Sequence, residues 1–182
     1  MDFGAYANHL SMIALASQDS ETEIVLVTTR GARIAQARNV IIKKVQELGS
    51  DYVLFLDTDH IVPKNMISLL LQNMDKASCI SGLVCRRRDT FDIVGFNIRD
   101  NEYHKIKLVP NTGVYFVDVC AFGCTLIDTS VFEEMKGFSF SDETKTSSKG
   151  PFLMRSDILF CETLRNLGKK LMIDTRVVVG HI

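Results

Sequence analysis

Residues 52–57 read YVLFLD, an apolar run that ends on a carboxylate. A strand with one wet face alternates polar and apolar residues, whereas a strand buried on both faces does not need to. The run therefore predicts a parallel strand buried on both faces. The flanking patterns supply the cover. Residues 32–48, ARIAQARNVIIKKVQEL, follow Gly31 and carry apolar side chains at helical spacing up to Gly49. Residues 63–74, PKNMISLLLQNM, place proline where a first helical turn tolerates it. A short β-branched stretch, EIVLVTT at 23–29, and ASCISGLV at 77–84 read as further strands. The order β, α, β, α, β implies a parallel α/β sheet, preceded by a helical pattern over residues 5–16.

The rhythm changes after Thr90. FDIVGFN, HKIKLV and GVYFVDVCAFGCTLID read as shorter strands joined by turns. TSVFEEMKG predicts a short helix capped by Thr129 or Ser130 and stopped at Gly137. Residues 141–151, SDETKTSSKGP, are polar and aperiodic and predict a mobile loop. SDILFCETLRNLGKK predicts a helix with Ser156 as its cap and Gly168 as its stop, and LMIDTRVVVGHI a closing strand. No repeat or linker divides the 182 residues, so one domain is expected over 1–182, its halves at 1–90 and 91–182 set apart by the change of rhythm.

Composition removes several function classes. A formal net charge of -1 gives no basic surface for nucleic acid. The five cysteines include no CxxC pair, which argues against a disulfide framework or a zinc ribbon and suits a reducing, cytoplasmic setting. No apolar run approaches the roughly 18 residues of a membrane span.

The carboxylates at the end of the apolar run carry the chemistry. Strand side chains alternate, so Asp57 and Asp59 point to one side if the strand geometry continues. In parallel α/β sheets that rim is the ligand crevice. Two carboxylates there repel each other unless a cation or protons intervene, and oxygen ligands suit manganese or magnesium, which leave positions for phosphate oxygens. The plainer alternative is a polar strand end that caps the next helix. His60 should point away from the pair and serve structure. Three arginines, Arg86 to Arg88, follow the 77–84 strand, either as a solvated charge run or as phosphate ligands. Gly123, inside AFGCT, reads as sheet packing or as room for close ligand approach.

Four stretches occur in a telling order: GARIAQARN, DYVLFLDTDHIVP, AFGCTLIDTSVF and SDILFCETLRNLGKKLMIDTRVVVGHI. Together they resemble the GT-A glycosyltransferases, in particular the small family-2-like members of viruses, phages and bacteria. The resemblance implies a GT-A-like nucleotide-binding sheet with flanking helices and a smaller mixed β acceptor region. It implies sugar transfer from a nucleotide-sugar donor, with a UDP sugar expected, to a hydroxyl of a glycan or glycoprotein acceptor.

Position by position, the resemblance places Asp57 near the donor and Asp59 as the direct metal ligand, with Thr58 between them in the donor-binding set. It makes His181 a third metal ligand, where a lone histidine would otherwise read as structural. Arg38 and Asn39 match the helix that borders the donor. Asp157 matches the acidic position that often serves as catalytic base. There Ser156 replaces the family's glutamate, and a first-turn aspartate also has a purely helix-stabilising reading. Family members normally open with a strand that the first helix follows, whereas this sequence opens almost within that helix: either a segment precedes it, or this version lacks the strand, which would expose a sheet edge and weaken nucleoside binding.

Two other functions fit parts of the pattern. Haloacid-dehalogenase-type phosphohydrolases also place DxD after an apolar strand, with the first aspartate, here Asp57, as nucleophile, although Ile61 stands where that family prefers threonine or valine. A GT-A module that binds sugar without transferring it is the other.

Overall fold

The computed structural model describes residues 22–29, 31–85, 94–147 and 150–181, together with Ala14. The helix expected over residues 5–16 and the arginines Arg86 to Arg88 lie outside the described residues, except for Ala14, which is helical.

The elements run α1 (Ile34–Leu48), β1 (Tyr52–Leu56), β2 (His60–Ile61), α2 (Met66–Leu71), β3 (Cys79–Val84), β4 (Gly95–Arg99), β5 (Glu102–Lys105), β6 (Val114–Val117), β7 (Val119–Cys120), β8 (Cys124–Asp128), α3 (Ser130–Glu134), β9 (Glu143–Ser147), β10 (Gly150–Met154), α4 (Ser156–Asn166) and β11 (Leu171–His181). Six strands form the central sheet in the order β1-β8-β3-β11-β2, with β6 also paired to β11. Strands β4, β5 and β7 form a small antiparallel sheet beside it. Among the described residues no helix is long and apolar enough to cross a membrane.

The class is α/β as expected, but the sheet is mixed. β8 lies between β1 and β3 and runs antiparallel to both, while β3 and β11 are parallel. The apolar segment Cys124–Ile127, buried throughout, fits only an inner position, so it displaces β1 from β3. β1 itself corrects the expectation of a parallel strand: among the described strands it stands at the end of the sheet and pairs only with β8, antiparallel, with Val53 and Phe55 buried in one core cluster and Leu54 and Leu56 half-buried against the other. Along β3, Cys79 and Leu83 enter one core cluster and Ile80 and Val84 the other. The first cluster is rich in phenylalanine, with Phe55, Phe122, Phe132, Phe140 and Phe160 packed beneath α1 and α4. The second packs α2, through Met66 and Leu70, on the opposite face.

The stretch 23–29 is a correction: residues 22–29 form no strand, and Ile24, Val25 and Leu26 are exposed. A strand needs a partner to satisfy its backbone and cover its side chains, and none of the described strands pairs with it. The stretch 141–151 is another. Instead of a loop, β9 and β10 pair antiparallel, and Lys145 Nζ reaches Glu162 on α4 at 2.8 Å. Glu162 also accepts the hydroxyl of Tyr103 on β5, which ties the hairpin to two other elements.

One expected helix cap shifts: Arg155, not Ser156, is the N-cap residue of α4, and the Ser156 N–H is received by Asp142 Oδ1 at 2.9 Å. Thr129 is the N-cap residue of α3 as expected, though its side chain makes no capping bond: its Oγ1 donates back to Ser50 O at 2.6 Å, and the Ser130 N–H goes to Asp128 Oδ1.

One irregularity sets the direction of the last strand. The register of β11 on β3 jumps between Asp174 and Val178, so the residues between them are extruded. Asp174, fully buried, receives the Arg176 backbone N–H and its guanidinium, at 3.0 Å and 2.6 Å. Thr175 bonds Gly113 O and receives the N–H groups of Thr112 and Gly113. Gly82 leaves room for this turn, since a Cβ there would come 2.9 Å from Val177. Such bulges bend and re-aim a strand. Beyond this one, β11 continues to Gly180 and His181, which pair with Ile61 and His60 of β2.

Candidate active site

β1 ends at Leu56, one residue before the first carboxylate. The Asp57 N–H donates to Gly123 O at 3.0 Å, and the His60 N–H returns to Asp57 O at 3.2 Å. Residues 57–60 therefore form a turn rather than extended strand. The turn still brings Asp57 and Asp59 together, and it adds His60. Ligand atoms of Asp57, Asp59 and His60 all lie within 4.8 Å of one another. The expectation that His60 points away is thus corrected, because alternation applies within one continuous strand, and β1 stops at Leu56 before His60 opens β2. The sequence did hold the signal: a polar TD pair after an apolar run, with proline close behind, is turn chemistry.

Asp57 and Thr58 are exposed, Asp59 is half-buried and His60 is buried. The His60 ring nitrogen Nδ1 lies 2.7 Å from Gly123 O. Enough protein surrounds the Asp57 carboxyl that desolvation raises its pKa, while His60 and then Arg38 pull it down. Two carboxylates and an imidazole at an open rim suit a divalent ion of the manganese type. The backbone of His181 sits directly opposite His60 in the β2–β11 ladder, so the turn and the chain's last described residue meet.

Arg38, in the second turn of α1, is 9% exposed. Its Nη1 donates to Ser156 Oγ at 2.8 Å, and its guanidinium carbon lies 4.9 Å from the Phe122 ring centroid and 5.8 Å from that of Phe140. Burial lowers its pKa, and the charges of Asp157 and Asp57 oppose that shift. One buried cation is therefore within electrostatic reach of both Asp57 and Asp157. Asp157 stands in the first turn of α4, with Oδ1 receiving the Ile158 N–H at 3.0 Å. Asn39 makes a reciprocal pair with the backbone of Phe140, donating to its O at 2.9 Å and receiving its N–H at 2.7 Å.

Gly123 answers the question raised by AFGCT. A Cβ there would collide with Cε1 of His60 and come 2.8 Å from Nδ1. The glycine admits the histidine ring.

Residues 12–136 match the sequence model of the family described as glycosyl transferase family 2. Among curated proteins, none matches. Among solved structures, A197 from STIV is similar in fold, with a TM-score of 0.59 and 15% identity over 95% of this chain and 78% of that one. The structure of GalNAc-T7 with UDP, GalNAc and Mn2+ is also similar, with a TM-score of 0.58 and 18% identity over 87% of this chain and 32% of that one.

Proposed function

The chain belongs to glycosyl transferase family 2, and from that membership we propose that it moves a sugar from a UDP-sugar donor to a hydroxyl of a glycan or glycoprotein, using manganese or magnesium. Membership makes the chain a glycosyltransferase and leaves no place for the phosphohydrolase reading of Asp57.

The observation that carries the finer reading is the turn at residues 57–60, where two carboxylates and an imidazole have ligand atoms within 4.8 Å. That donor set fits a divalent ion. Asp59 and His181 would hold it, with Asp57 between the ion and the donor and Thr58 at the donor's edge. A divalent ion bound there supplies charge neutralisation for the departing diphosphate. The similar structure of GalNAc-T7 with UDP, GalNAc and Mn2+ supports the choice of donor and ion.

Arg38 contributes a fixed positive charge from beneath the site, which steadies Asp57 as an anion. Asn39 holds the 138–142 segment against α1 and so shapes the donor's border. Asp157 would accept the proton of the acceptor hydroxyl as that oxygen attacks the anomeric carbon.

The test is a thermal-shift screen of nucleotide diphosphates with and without manganese, followed by assay of UDP release from UDP sugars. A rise in Tm with UDP that requires manganese is the expected result. Stabilisation by no nucleotide, with or without the ion, would overturn the donor assignment.

A further inference from the structure

We propose that His60 is a nitrogen ligand of the divalent ion, oriented by Gly123, and that this ligand makes the site prefer manganese over magnesium. The proposal rests on the metal reading above and adds a residue and an ion preference to it.

Three observations converge. First, the 57–60 turn places a His60 ring nitrogen within 4.8 Å of both carboxylates' ligand atoms. Ligands about 2.1 Å from a shared ion stand at most about 4 Å apart, so small side-chain rotations close the set. Second, Nδ1 faces Gly123 O at 2.7 Å. A carbonyl oxygen only accepts, so Nδ1 carries the proton and, in neutral imidazole, Nε2 carries the lone pair. Metal-binding histidines are commonly held in this way by a backbone carbonyl on the other nitrogen. The same carbonyl receives the Asp57 N–H at 3.0 Å, so one oxygen orients two members of the set. Third, the ring occupies the volume that any side chain at position 123 would need, and His60 is only 2% exposed. The ring's place is fixed before an ion arrives.

The ion preference follows from donor chemistry. Magnesium binds oxygen and keeps its waters, whereas manganese accepts imidazole beside carboxylates. A nitrogen donor in the set therefore favours manganese.

The experiment uses four proteins: wild type, Asp59→Asn, His181→Ala, and His60→Asn in the His181→Ala background. Asparagine keeps an N–H donor toward Gly123 O and removes Nε2. Electron spin-echo modulation from 14N is recorded on bound Mn2+, and Mn2+ and Mg2+ affinities are measured by titration. Nitrogen modulation should persist in His181→Ala and vanish when His60→Asn is added. The Mn2+ to Mg2+ affinity ratio should then fall about tenfold, the size expected for disturbing a metal's ligand shell. If His60→Asn fails to fold, His181→Ala alone decides: nitrogen modulation in that variant supports the proposal, and its absence overturns it. Mn2+ binding with modulation lost in His181→Ala overturns the His60 assignment and leaves the metal site standing. No Mn2+ binding that Asp59→Asn weakens overturns the metal reading itself, and this proposal with it.

Discussion

Arg38 Nη1 and Ser156 Oγ lie 2.8 Å apart, joining the second turn of α1 to the first residue of α4 across a chain separation of 118 residues. The bond is buried, and the guanidinium also stands over Phe122 and Phe140. A hydrogen bond from a charged donor contributes about 1.5–3 kcal/mol and a cation–π contact about 0.5–2, while burying the charge takes part of that back. Arg38→Met is therefore expected to cost about 2 kcal/mol in urea unfolding. Arg38→Lys should recover little, since an ammonium cannot both reach Ser156 and lie against the rings.

Asn39 meets the Phe140 backbone with both ends of its amide. Truncation leaves a part-buried N–H and C=O without that partner, at about 2–3 kcal/mol. Asn39→Ala should lower stability by that amount. Asn39→Asp should do no better at neutral pH, because it still receives the N–H but sets a negative oxygen against Phe140 O. Equal stability of wild type and the aspartate variant would show that only the N–H matters.

Glycine at 123 is required by space rather than by backbone, since its φ lies outside the left-handed region and the obstacle to a side chain is the His60 ring. Gly123→Ala alone should cost about 1–3 kcal/mol, as overpacking does. In a His60→Ala background most of that cost should disappear. A double-mutant cycle by chemical denaturation should give a coupling above about 1 kcal/mol; strict additivity would mean that the ring moves aside freely.

Asp59→Asn separates function from fold. If Asp57 and Asp59 exist to hold an ion, their mutual repulsion is a cost in the metal-free protein, and Asp59 is among the influences that raise the Asp57 pKa. The variant should lose metal-dependent turnover while its metal-free Tm stays level or rises. A large drop in Tm would mark the pair as structural.

These residues also show how far the sequence could be read. α1, β1, α4 and β11 follow from periodicity, because each has a buried face whose pattern is local. The insertion of β8 between β1 and β3 depends on which strands find partners across more than 40 residues of chain, and no local pattern encodes that. EIVLVTT has strand propensity but no described partner, so propensity alone misjudged it. The β9–β10 hairpin hid in a polar stretch because its ties, Lys145 to Glu162 and the buried Met154 at its end, leave no periodic pattern in 141–151. Asp57 and Asp59 were visible as a pair. His60 was not, because a reading built on strand alternation missed that the strand stops at Leu56. Arg38 and Asn39 were legible as a motif, while their bonds to Ser156 and Phe140 required the fold.

The cysteines yield a prediction about alkaline pH. Cys79, Cys120, Cys124 and Cys161 are buried. Desolvation raises the pKa of Cys79, Cys124 and Cys161, that of Cys124 to about 12. The Cys120 thiol is held well above its usual value, its bond with Cys161 pulling down and its bond with Cys79 and burial pushing up. In the unfolded chain a thiol ionises near pH 8.5. Above that pH the unfolded state binds fewer protons than the native one, so stability falls as pH rises. Each such thiol contributes a slope of about 1.4 kcal/mol per pH unit, so four give about 5 once all have ionised in the unfolded chain. Stability that is complete below about pH 8 should therefore drop steeply between pH 9.5 and 10.5. Tyr103, whose pKa is raised by burial and by Glu162, adds to the slope above pH 10. Urea titrations across this window should show the decline, and Cys124→Ala should reduce the slope by about a quarter, the share of one thiol in four. A stability that is flat from pH 8 to 10.5 would mean that these thiols ionise as readily in the folded protein as in the unfolded chain.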